Sequence, residues 1–339
     1  MTSHMFAEAA EAPEAVARQL RANRDIMNDL ARRLQAMAPR MVVTVARGSS
    51  DNAATYAKYL IETRLGILTA SAAPSVSSVY GARPAMKDVL VLALSQSGRS
   101  PDLLAALKAA RMAGAFIIGF VNAENSPLAA IADVTVPLHA GPELSVAATK
   151  SYIATNAALA SLVAAWRKDE SLLDALDGLS AGLADAWNCD WSAALPLLKD
   201  AHDLYVIGRG LGFGAAQEAA LKFKETCALH AEAFSAAEVL HGPMALVKEG
   251  FPLLILSQDD GTRPGIMAMA ARFARSRAQM MVAGFEHPHA TALPVARAEP
   301  ALEPLLLIQS FYRMAEALAH ARGRDPDAPP NLKKITETV

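Results

Sequence analysis

The stretch Leu94–Ser100 carries the side chains with the clearest chemistry in this sequence, and that chemistry is phosphate binding. Its residues, Leu-Ser-Gln-Ser-Gly-Arg-Ser, follow an apolar run and precede Pro101, which opens a helical pattern. At the carboxyl end of a strand in an open α/β sheet, a helix N-terminus offers unpaired N–H groups to an anion. The side chains that would add donors are Ser95, Gln96, Ser97 and Ser100. A plain polar turn is the alternative, but helix capping needs only one such side chain.

Lys222 and Glu225 are the next candidates for chemistry. They stand three residues apart in a segment with a helical pattern, so they share one face of the helix. On spacing alone, a solvent-exposed ion pair is the expected outcome for such residues.

Glu238 and His241 have the same spacing, just before Gly242-Pro243. A single Glu/His pair is too little for a carboxylate-rich metal site, so we expect no metal. His241 is then either a structural cap at a helix end or a proton carrier near neutral pH. Lys150 and Lys334 each follow an irregular stretch, and a lone lysine is usually solvated.

The two halves of the chain repeat one pattern of strand and loop. An apolar run ends in Arg-Gly at Arg47 and again at Arg209, and another ends in Leu-Ser-Gln around Ser95 and again around Ser257. The offset is 162 residues in both cases, from 47 to 209 and from 95 to 257, which indicates a duplicated α/β domain. The second copy continues with Asp259-Asp260, which would repel an anion. Only the first copy is therefore expected to bind phosphate.

The alternation of strands and helices predicts an α/β protein in which each copy is a parallel sheet flanked by helices, a three-layer sandwich. We predict one helix over 14–37, a helix capped by residues 50–52, a strand at 65–70, and long helices at 149–166 and 302–321. The predicted organisation is a helical segment at 1–40, a first domain at 41–167, a helical linker at 168–200, a second domain at 201–322 and a non-helical tail at 323–339.

Composition restricts the classes of partner. The 339 residues are 53% hydrophobic and 19% charged, with a formal net charge of −2, so nucleic acid and anionic membranes are not expected partners. Cys189 and Cys227 have neither metal-type nor redox-type spacing, which fits a reducing compartment. The segment Ser151–Trp166 is too short and too polar to span a membrane and is predicted to be a core helix. With no signal-peptide pattern at its N-terminus, the protein is expected to be cytoplasmic.

Seven motifs together resemble the double SIS (sugar isomerase) domain family, and the resemblance covers about Met41 to Val339. The motifs are Arg47–Ser50, Leu94–Gly98, Val146–Lys150, Ala220–Glu225, His230–Ala233, Glu238–Pro243 and Asn331–Lys334. They are similar to the isomerase half of glucosamine-6-phosphate synthases, although the glutaminase domain is absent and Ala148 replaces a serine. The run Ser-Gln-Ser-Gly-Arg-Ser-Pro-Asp looks more like the stand-alone type II glucosamine-6-phosphate deaminases.

The resemblance implies a role for each matching residue. It implies that Glu225 moves a proton between sugar carbons 1 and 2, with Lys222 in the same site. It implies that His241 assists ring opening from the neighbouring subunit of a homodimer, and that Lys334 contacts the sugar near carbon 2 and can form a Schiff base. Phosphate contacts match Ser95, Gln96, Ser97 and Ser100. Sugar contacts match Gly48, Ser49, Ser50, Val146 and Ala148.

The activity that the resemblance implies is conversion of glucosamine 6-phosphate and water to fructose 6-phosphate and ammonia, without metal or other cofactor. One alternative is the same chemistry on another phosphosugar, such as galactosamine 6-phosphate or a glycated amino-acid phosphate. A non-catalytic sugar-phosphate sensor is the other, and the presence of all four catalytic-type residues argues against it.

Overall fold

The computed structural model describes residues 2–334 and divides them into two compact units. The first, which we call the N-terminal-sheet unit, comprises 14–143, 150–177 and 332–334. The second, the C-terminal-sheet unit, comprises 2–13, 144–149 and 178–331. The chain therefore passes between the units several times, and each unit is built from separated segments.

Each unit contains one five-stranded sheet in which all neighbouring strands are parallel. The strands are β1 (Met41–Val45), β2 (Thr69–Ser71), β3 (Val89–Ser95), β4 (Phe116–Val121), β5 (Val134–Pro137), β6 (Asp203–Gly208), β7 (His230–Ser235), β8 (Pro252–Leu256), β9 (Gln279–Ala283) and β10 (Ala290–Leu293). The strand orders are β2-β1-β3-β4-β5 and β10-β9-β8-β6-β7. Read from the opposite edge, the second order repeats the first, with β6 in the place of β1 and β8 in the place of β3. The duplication and the α/β class predicted from the sequence are confirmed.

Helices connect most of the consecutive strands, as parallel pairing favours, whereas two 3₁₀ turns lie between β7 and β8 and the short segment 284–289 joins β9 to β10. The helices are α1 (His4–Ala10), α2 (Ala12–Ala22), α3 (Arg24–Met37), α4 (Ser49–Leu65), α5 (Ser75–Ser78), α6 (Pro101–Met112), α7 (Pro127–Ile131), α8 (Lys150–Arg167), α9 (Glu170–Asp177), α10 (Leu179–Asn188), α11 (Leu195–Leu198), α12 (Phe213–Cys227), α13 (Arg263–Arg275) and α14 (Glu303–Ala321). Short 3₁₀ turns lie at Ser192–Ala194, Gly210–Gly212, Glu238–Leu240 and Pro243–Leu246. Within residues 2–334, every helix is too short or too polar to cross a membrane.

The strand β3 lies at the centre of the N-terminal-sheet unit, and all seven of its residues are buried. Its alternate residues Val89, Val91 and Ala93 pack in a core cluster with Leu103 and Leu107 of α6. The other face of the sheet is covered by α4, which packs against α8. A strand buried on both faces is apolar along its whole length, so its first polar residue, at Ser95, marks the edge of the sheet where a ligand has access.

Three local predictions were wrong in detail. The predicted helix over 14–37 is broken at Asn23, whose side chain donates to the carbonyl of Pro137 at 2.7 Å. Helix α4 begins at Ser49 with Gly48 as its N-cap, two residues before the first of the capping residues we assigned. The same helix runs to Leu65, so β2 begins only at Thr69.

Candidate active site

The loop after β3 has the form of an anion site. Gly98 adopts a left-handed conformation (φ +64°), and its N–H donates to Ser95 Oγ at 2.9 Å. A Cβ at this position would lie 2.3 Å from Ser126 Oγ, so only glycine fits the loop without displacing Ser126. Pro101 is the first residue of α6, as its position after Ser100 predicts.

The predicted phosphate ligands lie together in this loop. Ser95 is buried at the end of β3, whereas Gln96, Ser97 and Ser100 are partly exposed. Ser100 is the N-cap residue of α6, yet its hydroxyl makes no capping hydrogen bond. The capping alternative therefore does not explain why a serine stands there. The arrangement presents hydroxyl and amide groups around the positive end of a twelve-residue helix.

The loop after β1 is tied to this site by an ion pair. Arg47 donates to Asp102 Oδ2 from Nε at 2.9 Å and from Nη2 at 2.7 Å. Asp102, in the first turn of α6, is 2% exposed, so its charge needs this partner. Gly48 (φ +56°) follows as the N-cap of α4, and Ser49 and Ser50 open that helix with partly exposed side chains. These three predicted sugar-contacting residues thus follow β1, the strand that pairs with β3.

In the C-terminal-sheet unit, Lys222 is the centre of a buried charge cluster on α12. Its Nζ lies 2.5 Å from Glu225 Oε2 and 3.2 Å from Glu218 Oε1, and Tyr312 of α14 donates to the same Glu218 oxygen at 3.1 Å. The side chains of Lys222 and Glu218 are fully buried, and that of Glu225 is 19% exposed. The exposed ion pair expected from spacing alone was therefore wrong.

Electrostatics fixes the protonation of the lysine. Burial lowers the pKa of Lys222, but the carboxylates of Glu218 and Glu225 outweigh that effect and hold its pKa above the ordinary value. Lys222 is consequently a permanent cation at physiological pH. Glu225 has one carboxylate oxygen in contact with this cation, and part of its side chain is exposed to solvent. It can therefore contact a ligand while the ammonium group fixes its position.

The remaining predicted residues occupy separate places. Val146 and Ala148 are partly exposed residues of the irregular segment 144–149, in the C-terminal-sheet unit. His241 is exposed, directly after the 3₁₀ turn Glu238–Leu240. Lys334 belongs to the N-terminal-sheet unit, where its Nζ lies 3.4 Å from Glu143 Oε2.

Several residues of these networks were not found from the sequence. Glu218 stands four residues before Lys222, and this spacing was an available signal for a shared helix face. The contacts of Tyr312 with Glu218 and of Glu143 with Lys334 had no local signal, because each joins residues far apart along the chain. Lys150 is 1% exposed, so the solvated position expected for it was wrong.

Among residues 2–334, no group of three or more His, Cys, Asp or Glu side chains is placed to hold a metal ion.

The SIS domain model matches this chain over residues 38–165 and 197–283, which include both sheets' central strands. The chain belongs to the SIS domain family. A glutamine–fructose-6-phosphate aminotransferase of Aeropyrum pernix is 38% identical to this SIS protein over 327 residues, covering 90% of the chain and 52% of the relative. The chain thus spans about half the length of the curated relatives it matches.

Solved structures give the same family. A protein of Silicibacter pomeroyi described as a candidate phosphosugar isomerase is 42% identical, with a TM-score of 0.92, covering 96% of this chain and all of that one. The C-terminal domain of a glucosamine-fructose-6-phosphate aminotransferase from Francisella tularensis has a TM-score of 0.88 at 23% identity, covering 97% of this chain and 99% of that one. At that identity the second match shows the fold alone.

Proposed function

We propose that this SIS protein converts glucosamine 6-phosphate and water to fructose 6-phosphate and ammonia. The observation that carries the proposal is the contact of 2.5 Å between the buried Lys222 ammonium and the partly exposed Glu225 carboxylate. A carboxylate oriented by a fixed cation and open to a ligand is suited to transferring a proton between neighbouring carbons. The 38% identity to an enzyme named for fructose 6-phosphate supports a hexose phosphate as the substrate.

The phosphate of the substrate is assigned to the loop after β3. Its oxygens accept hydrogen bonds from the α6 N-terminus and from the side chains of Ser95, Gln96, Ser97 and Ser100. Hydrogen bonds to an ionised acceptor are roughly twice as strong as neutral ones. Binding energy at this unreactive group can orient the reacting carbons and thereby lower the barrier. The sugar chain is assigned to Gly48, Ser49, Ser50, Val146 and Ala148.

The chemistry is assigned to Glu225. It takes the proton from carbon 2 of the open-chain sugar, and the electron pair moves into the carbonyl at carbon 1, which gains a proton and leaves an enolamine. Return of a proton to carbon 1 gives the imine at carbon 2. Water adds to that imine and ammonia leaves, which yields the ketone of fructose 6-phosphate. Lys222 stays charged throughout and holds the carboxylate in place.

Two further residues complete the proposal. We assign ring opening to the partner subunit's His241 in a homodimer, in keeping with the exposure of the segment that bears this histidine. Leu246, five residues further along, is 63% exposed, as an apolar residue of an interface would be in a single chain. Lys334 is assigned to carbon 2, where its amine can exchange with the imine.

Aldose–ketose isomerisation without ammonia release is the second candidate function. The solved structure with 42% identity is described as that of a candidate phosphosugar isomerase, and proton transfer by Glu225 would serve that reaction equally well. The two candidates differ only in the group at carbon 2.

Ammonia release tests the proposal. The purified protein is incubated without glutamine with glucosamine 6-phosphate, galactosamine 6-phosphate, N-acetylglucosamine 6-phosphate or glucose 6-phosphate, and ammonia and ketose phosphate are measured together. We expect equal amounts of ammonia and fructose 6-phosphate from the first sugar. Interconversion of glucose 6-phosphate and fructose 6-phosphate, with no ammonia from any amino sugar, would favour the isomerase. Binding without turnover of any of these sugars would favour a sensor.

A further inference from the structure

Glu8, in the N-terminal helix α1, is a buried carboxylate that binds the backbone of a distant loop. It is 5% exposed and accepts hydrogen bonds from the N–H of Leu144 at Oε1 and from the N–H of Ser145 at Oε2, the latter at 3.2 Å. The residue lies outside both segments that match the SIS domain. A buried charge is retained at a cost in solvation, and these amides offset that cost.

The loop that Glu8 binds is the irregular segment 144–149, which carries Val146 and Ala148. Burial alternates along it: Ser145, Ala147 and Thr149 are buried, whereas Val146 and Ala148 between them are partly exposed. Because the segment belongs to no helix or strand, its position depends on contacts such as those with Glu8.

Helix α1 is itself firmly attached to α14. Ser3 caps α1 by accepting the N–H of Phe6, and its hydroxyl donates to Glu316 at 2.8 Å. Gln309 of α14 donates to the carbonyl of Ala9 at 2.9 Å. Asp327, which follows α14, accepts the first N–H groups of α1 at 2.6 and 2.8 Å. A seven-residue helix is marginal alone, so these bonds fix the place of Glu8.

The same helix α14 holds the charge cluster. Its Tyr312 donates to Glu218, which pairs with Lys222, which in turn pairs with Glu225. Within the C-terminal-sheet unit, one continuous series of contacts therefore joins the backbone of segment 144–149 to the Glu225 carboxylate, by way of Glu8, α1 and α14.

We propose that Glu8 is a positioning residue. It fixes the position of the sugar-contacting segment 144–149 relative to the proton-transfer carboxylate of Glu225. The inference rests on the proposed function. It assigns to the N-terminal helix a role in turnover, since a displacement of about 1 Å at a reacting centre can reduce a rate by about 10²-fold.

Glu8→Gln tests the proposal, with Glu14→Gln as the matched control. Glu14 is an exposed residue in the first turn of α2, and its substitution removes the same charge from the same end of the chain. The amide of a glutamine keeps one acceptor and sets an NH₂ group against a backbone N–H. We expect Glu8→Gln to lower kcat/KM for the phosphosugar by about 10- to 100-fold, with inhibition by inorganic phosphate unchanged. Glu14→Gln should match wild type in both.

A purely structural glutamate would give a different result. Its loss would lower Tm and the fraction of active protein, but kcat/KM per folded molecule would equal that of wild type, and that outcome would overturn the proposal. Hydrogen–deuterium exchange of the wild-type chain provides a measurement that needs no variant. The amides of Leu144 and Ser145 should be protected although Leu144 is an exposed residue, and exchange at the free-loop rate would refute the contact.

The same measurements separate this inference from the proposed function. Lack of any phosphosugar turnover by wild type would contradict the proposed function. The contact would then be judged by the exchange data alone, where protected amides support it and unprotected amides overturn it.

Discussion

The loops after β3 and β8 occupy the same place in two copies of one sheet, but they present different groups at the start of the helix that follows. After β3, the loop turns at Gly98 and leaves the side chains of Gln96, Ser97 and Ser100 partly exposed around the start of α6. After β8, the side chain of Gln258 turns inward. Its Nε2 donates to the carbonyl of Arg209 at 2.8 Å and to Asp260 Oδ2 at 2.9 Å.

The second loop supplies its own negative charge. Asp260 accepts the N–H of Thr262, the N-cap residue of α13, at 2.8 Å, and Arg263 in the first turn of α13 pairs with Asp259 at 2.6 Å. Gln258 also fills the space beside Gly212, where a Cβ would lie 2.3 Å from its Oε1. Under the proposed function, a duplicated sheet keeps its fold but binds an anion in only one copy, because carboxylates of the chain occupy the corresponding place in the other.

The largest expected effect is a loss of turnover without a loss of phosphosugar binding, on substitution of the proposed proton-transfer residue Glu225. Glu225→Gln should reduce kcat by about 10³-fold or more, because general acid–base catalysis contributes about 10²–10⁴ and the amide cannot carry the proton. The dissociation constant of the phosphosugar, measured by calorimetry, should stay within a few-fold of wild type. Glu286→Gln, at an exposed glutamate, is the control. Retained turnover in Glu225→Gln would remove Glu225 from the mechanism.

The next effect concerns the internally paired charges of the C-terminal-sheet unit. Lys222→Met leaves the buried Glu218 without its cation, and breaking a buried pair costs about 3–5 kcal/mol. Because the folded-state pKa of Lys222 is raised, its contribution is complete below the unfolded-state pKa and is lost only as pH rises through the raised value. Urea unfolding should therefore show the same loss at pH 6 and pH 9. Lys248→Met, at an exposed position, should change little. A loss confined to one of these pH values would contradict the assignment.

A pair of glycine substitutions tests the two loops directly. Gly98→Ala forces a Cβ into contact with Ser126 and into a left-handed conformation that costs about 1–2 kcal/mol, so we expect phosphosugar affinity to fall about ten-fold. Gly261→Ala, in the loop after β8, meets open space and has no such constraint. Affinity is measured by calorimetry with fructose 6-phosphate. Equal effects of the two substitutions would break the comparison.

The smallest effect concerns single hydroxyls at equivalent positions. Ser95→Ala removes one donor to the phosphate and should weaken binding by several-fold, the range of one hydrogen bond of about 0.5–1.5 kcal/mol. Ser257→Ala removes a hydroxyl that donates to the carbonyl of Gln258 within its own loop, and phosphosugar affinity should not change. If the second variant binds more weakly than the first, the anion site lies after β8.

The contrast between the loops could be predicted from the sequence because its causes are local. The glycine, the hydroxyls and Pro101 act within a few residues of one another, and the repeat offset identifies the second loop and its aspartates. The burial of Lys222 could not be predicted in this way, because it depends on Tyr312 of α14, 90 positions along the chain from Lys222. The contact of Glu8 with Ser145 likewise spans 137 positions. The break at Asn23 depends on a carbonyl of β5.

The most direct test of the account is a crystal structure of the protein with bound fructose 6-phosphate. We expect phosphate density on the loop after β3, with its oxygens within hydrogen-bond distance of Ser95, Ser97 and the first N–H groups of α6. We also expect Gln258 and Asp260 to keep their mutual contact and bind no anion. Phosphate bound by the loop after β8, or the loop after β3 left empty while the sugar binds elsewhere, would contradict the assignment of the phosphate site to the loop after β3.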